Sequence, residues 1–432
     1  MLIEFSVGNY RSFKQIVTFS MVAANIVSKD KNLDENNVFQ VNEELHLLKS
    51  AAIYGANASG KSNLAKALGF MAWFTVNSSK ETQSTEKISV ESFSLSTETE
   101  NEPSFFEIAF LMDKRKYRYG FEVTRDRVIS EWLYYVPTSR ETKLFERHEN
   151  DIRSWASKRF KADGIQQKTR HNALFLSVCA QFNVEIAEKI LDWFNQRLNL
   201  ISGLDDRGYR GYTVNCLLKN QDRDEIVKLI KKLDLGIKEI EVTESKLSPD
   251  ILPEAMPEEL KEFVINLGKN GKVRTVRTAH PKYDQSGNQI SLELFDLKNQ
   301  ESEGTQKIFA ISGLLVDTLK EGNVLIIDEF DARLHPLISR AIVELFNSQE
   351  ANPKNAQLIF MTHDTNLLSN TIFRRDQIWF VEKNLYGATD LYSLVEYKVR
   401  NDASFETNYI KGRYGAIPFI GDLHQLMNIS HE

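Results

Sequence analysis

The segment Gly55–Ser62, which reads GANASGKS, constrains the fold of this chain more than any other stretch. The apolar segment Ser50–Tyr54 precedes it and predicts a strand, and from Lys61 onward apolar residues recur with helical spacing. A G-x-x-x-x-G-K-[ST] pattern between a strand and a helix forms a phosphate-binding loop, because backbone N–H groups and the helix N-terminus surround phosphate oxygens. We therefore predict that the chain binds a nucleotide.

Each residue type in this loop has a chemical role. Gly55 and Gly60 let the backbone curl around phosphate oxygens. Lys61 reaches the β and γ phosphates, and the Ser62 hydroxyl ligates Mg²⁺. The alternative is a chance match to the pattern, which the flanking strand and helix disfavour. The predicted nucleotide contacts also include four neighbouring residues: Asn57, Ala58, Ser59 and Asn63.

A second apolar strand, Val324–Ile327, runs directly into the carboxylates of Asp328 and Glu329. In a protein with a phosphate-binding loop, the first such carboxylate holds Mg²⁺, usually through water. The second accepts a proton from the attacking water or orients it. We predict that Asp328 and Ser62 hold the metal and that Glu329 is the catalytic base. The alternative is a strand that ends in two surface acids.

A third apolar strand, Gln357–Met361, ends in Thr362 and His363. A neutral histidine beside the strand of Asp328 can hydrogen-bond the γ phosphate, so we place His363 with Glu329 and Lys61 in the catalytic set. The alternative is a structural histidine.

The stretch Ser302–Gln306 reads SEGTQ and precedes a predicted helix over Gln306–Leu319. A Ser-x-Gly turn that enters a helix presents backbone N–H groups and a hydroxyl to an anion. We predict that Ser302, Gly304 and Gln306 contact a phosphate held by a second subunit. The alternative is a helix start that Ser302 caps.

The order of predicted elements favours an α/β fold in which a mixed sheet flanked by helices accompanies an antiparallel β subdomain. Strands and helices alternate in the last third, which is typical of a parallel sheet. The alternating segments Phe106–Met112, Tyr117–Val123 and Val128–Tyr135 predict antiparallel strands. We expect an N-terminal lobe over 1–135, a mostly helical insertion or lid over 136–274 and a C-terminal lobe over 275–432.

Several local predictions are specific enough for the structure to test. Asp30–Glu44 is polar and predicts a loop, and Val90–Leu95 predicts a strand. Helical spacing predicts helices at three places in the insertion: Ala187–Leu198, Asp224–Leu233 and Leu252–Leu260.

Composition excludes several classes of protein. The two cysteines, Cys179 and Cys216, are far apart, which rules out a disulfide scaffold and a cysteine-type zinc site. No apolar run approaches the roughly 18 residues that span a bilayer, and the first residues do not resemble a signal peptide. We expect a cytoplasmic protein with no membrane partner.

The charge balance bears on nucleic acid as a partner. The 432 residues carry 54 Lys and Arg against 60 Asp and Glu, a net charge of −6, which disfavours non-specific wrapping of nucleic acid.

These motifs, in this order, resemble an ABC-type ATPase head. Gly55–Ser62 matches its Walker A motif, Ser302–Gln306 its signature motif and Val324–Glu329 its Walker B motif. Asp331–Leu334 resembles the D-loop, and His363 the switch histidine. The resemblance implies ATP and Mg²⁺ as cofactors and adds Asp331 to the nucleotide contacts.

The opening segment Asn9–Phe13 narrows the resemblance further. Its sequence, NYRSF, resembles the N-F-R-S-F opening of the SMC, RecF and OLD branch, in which the arginine and serine lie near the nucleotide. The same roles are therefore expected of Arg11 and Ser12.

Three more segments, Tyr117–Phe121, Arg375–Phe380 and Tyr414–Pro418, resemble OLD/SMC-like ATPases of bacterial anti-phage and abortive-infection loci. These are of the RloA and AbiL type, akin to the ATPase of the PARIS system. The resemblance spans both ends of the chain and is weakest over about 140–275.

Membership of this group implies that ATP closes two heads around two nucleotides, in a homodimer or a higher homo-oligomer. The ATPase would act as a sensor that controls a separate effector, commonly a TOPRIM-type nuclease, with nucleic acid or a phage protein as its trigger. Only 432 − 363 = 69 residues follow His363, too few for the fused nuclease of full OLD enzymes. The signature differs from the transporter form Leu-Ser-Gly-Gly-Gln, and the sequence does not locate a Q-loop glutamine.

Three other functions stay open. A RecF/SMC-like DNA-repair ATPase would bind DNA, for which the basic stretches Lys158–Lys161 and Lys168–His171 are candidates, although a solvated surface is the favoured interpretation of them. A transporter cassette conflicts with the opening Asn9–Phe13. A stand-alone nuclease would need more carboxylates than the pairs Asp205–Asp206 and Asp328–Glu329.

Overall fold

The computed structural model describes residues 1–137, 140–154, 160–233, 236–246, 257–260, 272–400 and 403–418. The chain forms two compact units. Unit 1 comprises Met1–Gly203, Thr318–Ala332 and Ser339–Glu432, and unit 2 comprises Leu204–Asp317 and Arg333–Ile338.

The described residues contain more strands than helices. In chain order, the strands are β1 (Leu2–Gly8), β2 (Val17–Ser20), β3 (Val38–Gln40), β4 (His46–Leu48), β5 (Ser50–Tyr54), β6 (Ser104–Met112), β7 (Arg115–Val123), β8 (Val128–Val136), β9 (Thr142–His148), β10 (Asp151–Ser154), β11 (Leu198–Ser202), β12 (Glu239–Lys246), β13 (Lys272–Tyr283), β14 (Gln289–Asp296), β15 (Val324–Asp328), β16 (Gln357–Met361), β17 (Ile378–Lys383) and β18 (Thr389–Ser393). The helices are α1 (Lys31–Asn37), α2 (Lys61–Asn77), α3 (Phe175–Gln181), α4 (Glu185–Asp192), α5 (Arg207–Leu218), α6 (Arg223–Lys232), α7 (Glu303–Glu321), α8 (Pro336–Asn347) and α9 (Phe405–Ile410).

A six-stranded sheet in the order β11-β15-β16-β5-β17-β18 is the centre of unit 1. All neighbouring strands in it are parallel except the last pair, β17 and β18. The inner strands β5, β15 and β16 are almost wholly buried, as their continuous apolar sequences require. The predicted parallel sheet is confirmed, and with it the mixed α/β class.

A seven-stranded antiparallel sheet in the order β10-β9-β8-β7-β6-β1-β2 lies in the same unit. Phe106, Phe110, Tyr119 and Phe121 alternate along β6 and β7, and all four are fully buried. The Phe121 ring lies 5.6 Å from that of Phe74 in α2, so the inner face of this sheet packs on the helix that follows the phosphate-binding loop. The predicted antiparallel strands are confirmed.

The side chain of Gln357 ties the start of β16 to two other segments of unit 1. Its Oε1 accepts from the Leu2 N–H at 2.7 Å, and its Nε2 donates to the carbonyls of Leu2 and Leu48 at 3.0 and 3.2 Å. All three residues are fully buried. These bonds satisfy backbone groups that have no access to water.

The division between the units differs from the expected boundary at residue 136. The segment 136–203 contributes β9, β10 and β11 to the two large sheets of unit 1, together with the buried helix α3. The buried carboxylate of Glu131 in β8 accepts from the N–H groups of Phe175 and Leu176, at the start of α3, at 2.6 and 3.0 Å. Long-range pairing of this kind leaves no mark in local composition.

Unit 2 is built from α5, α6, most of α7 and the antiparallel sheet β12-β13-β14. The Thr213 hydroxyl of α5 donates to the Ala310 carbonyl of α7 at 2.7 Å. A Cβ atom at Gly313 would lie 2.6 Å from that hydroxyl, so these two helices can approach closely only because residue 313 is glycine. Of this sheet, only β12 and the first three residues of β13 fall within the expected insertion of 136–274, whose described part also contains the helices α3, α4, α5 and α6.

Some local predictions were wrong and others cannot be compared. Residues 31–37 form α1, since the Asp30 side chain caps that helix by accepting from the Asn32 N–H. Residues 90–95 form no strand, and Leu198 begins β11 rather than ending a helix. The predicted helix Leu252–Leu260 lies outside the described residues except for 257–260.

The basic stretch around residues 158–171 is only partly described, since Lys158 and Arg159 lie outside the described residues. The Arg170 guanidinium donates to the carbonyls of Ser78 and Thr82 at 3.1 and 2.5 Å. Arg170 is half-buried and holds the loop after α2, whereas Lys161, Lys168 and His171 are exposed, as a solvated surface requires.

In the described ranges, no helix is both long enough and apolar enough to cross a membrane. Cys179 and Cys216 are free, buried thiols, as their separation in the sequence predicts.

We expect Gln357→Ala to lower the free energy of unfolding by about 3 kcal/mol, because it leaves buried backbone groups of Leu2 and Leu48 without partners. Chemical denaturation followed by circular dichroism measures this change. Gln15→Ala, at an exposed position, is the matched control and should change stability by less than about 0.5 kcal/mol. Equal stability of the two variants would contradict the role given to Gln357.

Candidate functional site

A cavity of about 390 Å³ opens at the edge of the six-stranded sheet where β5, β15 and β16 end. The carboxyl ends of parallel strands meet at one edge, so three predicted motifs come together there. The residues that line the cavity are Asn57, Ala58, Ser59, Gly60, Lys61, Ser62, Asn63, Asp328, Glu329, Met361, His363 and Lys383.

The two glycines of the phosphate-binding loop lie against neighbouring chain segments. A Cβ atom at Gly55 would lie 2.4 Å from the Val381 carbonyl oxygen. At Gly60, where φ is +122°, a Cβ atom would lie 2.5 Å from the Thr389 hydroxyl. Both positions therefore exclude any side chain, and the loop curls as the motif requires.

Lys61 is buried at the start of α2, and its ammonium group donates to the carbonyls of Gly55 and Ala56 at 2.7 and 3.0 Å. Burial lowers the pKa of Lys61 to about 8, against the opposing effect of the nearby carboxylates, Asp328 first. The loop thus presents a cation at the wall of the cavity, where a phosphate can replace the carbonyls as its partner.

The residues predicted to hold Mg²⁺ fit that ion. Asp328 Oδ1 is buried and has no hydrogen-bond partner among the described residues, which leaves a charged oxygen free for a cation. Ser62 and Asp328 line the same cavity, and carboxylate and hydroxyl oxygens are suitable ligands for magnesium.

Glu329 adopts a left-handed backbone conformation, with φ of +55°, directly after the strand that carries Asp328. Such a conformation costs of order 1–3 kcal/mol in a residue with a side chain. A Cβ atom at Gly203 would lie 1.8 Å from the Glu329 carbonyl oxygen, and the Gly203 N–H donates to the Asp328 carbonyl at 2.6 Å. Glycine at 203 thus allows the turn that positions Glu329 at the cavity.

His363 follows β16 and lines the same cavity. Partial desolvation lowers its pKa, and the positive charge of Lys61 lowers it further, so the ring is neutral at physiological pH. Asp331 does not line the cavity. Its Oδ1 accepts from the Thr362 hydroxyl at 2.6 Å and from the His363 N–H at 3.2 Å, so it holds the loop that carries the histidine.

Two residues of the opening motif Asn9–Phe13, Arg11 and Ser12, were expected near the nucleotide, and they lie in different surroundings. Ser12 lies beside the loop: its hydroxyl accepts from the Asn63 side chain at 2.8 Å and would lie 3.1 Å from a Cβ atom at Gly60. Arg11 instead forms an ion pair with Glu91, at 2.7 Å. The structure brings Ser12, but not the Arg11 guanidinium, into contact with the residues of the phosphate-binding loop.

The signature-like turn belongs to unit 2. Ser302 caps α7, because its Oγ accepts from the Thr305 N–H at 3.1 Å. Gln306 donates to the carbonyls of Lys298 and Glu301 at 3.2 and 3.1 Å. Gly304 is close to the Arg333 carbonyl, 3.1 Å from where a Cβ atom would lie. The structure therefore shows the helix-capping role that was the alternative for Ser302. Contact of Ser302, Gly304 and Gln306 with a phosphate stays a prediction.

Apart from Met361, which lines the cavity at the end of β16, three residues at or beside this site were missed by the sequence analysis. Thr389 donates to the Ser59 carbonyl at 2.8 Å and Lys383 lines the cavity, both from the C-terminal part of the chain. Gly203 is the third. None of them stands in a recognisable motif, and only the pairing of β17 with β5 and of β11 with β15 brings them here.

Comparison with solved structures finds distant likenesses. An SMC head domain from Thermotoga maritima is 12% identical with a TM-score of 0.40, over 91% of this chain and 98% of that one. An Smc head domain with a coiled coil and joint, derived from Pyrococcus yayanosii, is 10% identical with a TM-score of 0.42, over 95% and 99%. The recombination mediator RecF bound to ATP is 13% identical with a TM-score of 0.34, over 91% and 99%.

No curated protein matches the sequence significantly. A family model, described as "AAA domain, putative AbiEii toxin, Type IV TA system", matches residues 50–369. This range begins at β5 and ends beyond His363, so it contains the phosphate-binding loop, both acidic residues and the histidine. Because the match covers well over half of the chain, the protein belongs to this family of AAA domains.

Proposed function

We propose that this protein binds and hydrolyses ATP at the cavity of unit 1. The observation that carries the proposal is the meeting, around one cavity, of a buried lysine on the phosphate-binding loop with Asp328, Glu329 and His363. Backbone N–H groups, a cation, a free carboxylate oxygen and a carboxylate that acts as general base are the groups that phosphoryl transfer to water requires.

Each residue has a proposed part in the reaction. Lys61 leaves the Gly55 and Ala56 carbonyls and pairs with phosphate oxygens, which neutralises charge on the transferred group. Ser62 and Asp328 would hold Mg²⁺, which would offset the negative charge of the phosphates. Glu329 accepts a proton from the attacking water, and the neutral ring of His363 hydrogen-bonds the γ phosphate.

We further propose that two copies close around two nucleotides, with the turn of Ser302 and Gly304 from one copy covering the phosphate of the other. The N-terminus of α7, a helix of 19 residues, supports this role, since a helix start carries partial positive charge and free N–H groups. Ser302 Oγ accepts a bond from the Thr305 N–H at 3.1 Å and lies 2.9 Å from the Thr305 hydroxyl, so both hydroxyls stand at the start of this helix.

For the cellular role, we propose a sensor in bacterial anti-phage defence that controls a separate effector, such as a nuclease. The resemblance of the motifs to anti-phage ATPases and the AbiEii-type description of the family both support this role. The test is co-expression with the product of an adjacent gene and phage challenge, in which Lys61→Ala should abolish protection.

We expect Lys61→Ala to lose ATP binding by at least about 100-fold, because a buried cation no longer pairs with the phosphates. Titration with a fluorescent ATP analogue measures this loss. Lys66→Ala, an exposed position on the same helix, is the matched control and should bind as the unaltered protein does. Equal affinity of both variants would show that the cavity is not the ATP site.

Glu329→Gln should bind ATP with near-normal affinity but hydrolyse it at least about 100-fold more slowly, because the amide cannot accept the proton of the attacking water. The variant should accumulate as an ATP-bound dimer in size-exclusion chromatography with light scattering. Glu350→Gln, at an exposed position, should leave both readouts unchanged. Normal turnover by Glu329→Gln would rule out its role as the base.

The affinity for ATP should fall as the pH rises through about 8. The pKa of Lys61 in the free protein is lowered to about 8, and only the protonated form pairs with phosphate. Binding should therefore be nearly constant below that pH and weaken by up to about tenfold per unit above it. Nucleotide titrations across this range, with folding checked by circular dichroism, measure the slope; a flat profile would contradict the lowered pKa.

A further inference from the structure

The sheet of unit 2 exposes a stripe of apolar side chains. Ile290, Leu292 and Leu294 alternate along β14 and are 60%, 39% and 46% exposed. In the described part of the chain, β14 ends the order β12-β13-β14 and pairs only with β13. Alternate residues of a strand share a face, so these three side chains form one apolar surface. Contiguous apolar surface of this kind marks an interaction site.

This stripe borders a cavity of about 930 Å³ that α6 and the three strands line together. Leu292 and Leu294 form one side, and Val227 of α6 adds apolar surface on the other. Ala279 of β13 also lines the cavity and is only 2% exposed, so the cavity is deep at that point. A space of this size accommodates several side chains of a helix or peptide.

A row of positive charge follows α6 beside the apolar surface. Lys228, Lys231 and Lys232 are exposed, line the cavity and stand three and four residues apart, so they share one side of the helix. None of the three forms an ion pair with a described residue. The start of α6 adds one more cation and one carboxylate to the lining, those of Arg223 and Asp224, and the strand β12 contributes the carboxylates of Glu239 and Glu241.

We propose that this cavity is the docking site for an amphipathic helix of a partner protein, with an apolar stripe and acidic residues along one flank. The apolar stripe covers Leu292 and Leu294, and the acidic flank faces the three lysines. If the partner helix carried carboxylates on both of its flanks, Glu239 and Glu241 would repel those on one side. Only the flank that faces the lysines is therefore acidic. A nucleic acid backbone is disfavoured for the same reason, because it would bring phosphates to those carboxylates.

A helix fits this position better than an added strand. The cavity lies between the sheet and α6, where a second helix packs beside the first in a layer of helices on a sheet. Helix-in-groove recognition uses anchors at helical spacing, with charges beside them that set the partner and its orientation. This inference deepens the proposed function and rests on it, since it names the surface through which the ATPase contacts the protein that it controls.

The probe for the test is a fluorescein-labelled synthetic peptide of about 18 residues, with Leu at helical spacing, Glu along one flank and Gln elsewhere. Fluorescence anisotropy with the full chain should show saturable binding that weakens with salt. Replacing all three lysines by Glu (Lys228→Glu, Lys231→Glu and Lys232→Glu together) should weaken binding at least about tenfold. A second peptide with Lys in place of Glu should bind this triple variant at least about tenfold better than it binds the unaltered protein.

A matched triple variant, Lys80→Glu, Lys114→Glu and Lys354→Glu, changes the net charge by the same amount at exposed positions outside the cavity. It should bind the first peptide as the unaltered protein does. Equal weakening in both triple variants, or no binding of the first peptide to the unaltered protein, would overturn the docking site. The gain with the exchanged peptide shows that the variant is folded, so misfolding cannot imitate the expected result.

The apolar contact is tested separately by introducing Leu292→Gln and Leu294→Gln together, both into the unaltered protein and into the triple lysine variant. This pair of changes should weaken the binding of the first peptide to the former, and of the exchanged peptide to the latter, at least about fivefold. ATP affinity, measured on the same samples, separates the two proposals. Charge-dependent peptide binding by a protein that fails to bind ATP would refute the proposed function alone. Normal ATP binding without charge-dependent peptide binding would refute the docking site alone.

Discussion

The parallel pairing of β5, β15 and β16 is the constraint on which the candidate site depends. Ala51 pairs with Ile359, and Ile359 pairs with Ile326, so the three strands run side by side and end at the same edge. The phosphate-binding loop follows β5, Asp328 is the last residue of β15, and His363 follows β16. Burial of the apolar strands, at roughly 25 cal/mol per Å² of surface, stabilises an arrangement that brings these polar groups together.

Close approach of neighbouring chain segments to glycine backbone is the second requirement of the site. Gly60 lies against Thr389, and Gly203 lies against the Glu329 carbonyl oxygen, with no room for a Cβ atom at either glycine. Glu329 itself adopts a left-handed conformation that favours glycine. Strain of this kind persists only where surrounding structure enforces it, and here the parallel pair β11 and β15, which ends at this turn, does so.

Electrostatics at the cavity is set by the balance of burial against neighbouring charge. Lys61 is desolvated, yet the carboxylates around it partly offset the cost of its charge, with Asp328 the largest contributor. The same lysine contributes to the lowered pKa of His363, which keeps that ring neutral. In unit 2 the charges are arranged differently, as an exposed row of lysines beside an apolar surface. Such a row favours recognition of a partner over chemistry.

The sequence alone determined the phosphate-binding loop, the strands that end in Asp328 and His363, and the α/β class, because each depends on residues that are adjacent or periodic along the chain. It did not determine that Arg11 pairs with Glu91, that residues 136–203 complete the sheets of unit 1, or that Gly203 and Thr389 support the site. These depend on contacts between residues far apart in the chain. Only tertiary structure decides them, because long-range strand pairing and close packing select partners by shape and burial rather than by local pattern.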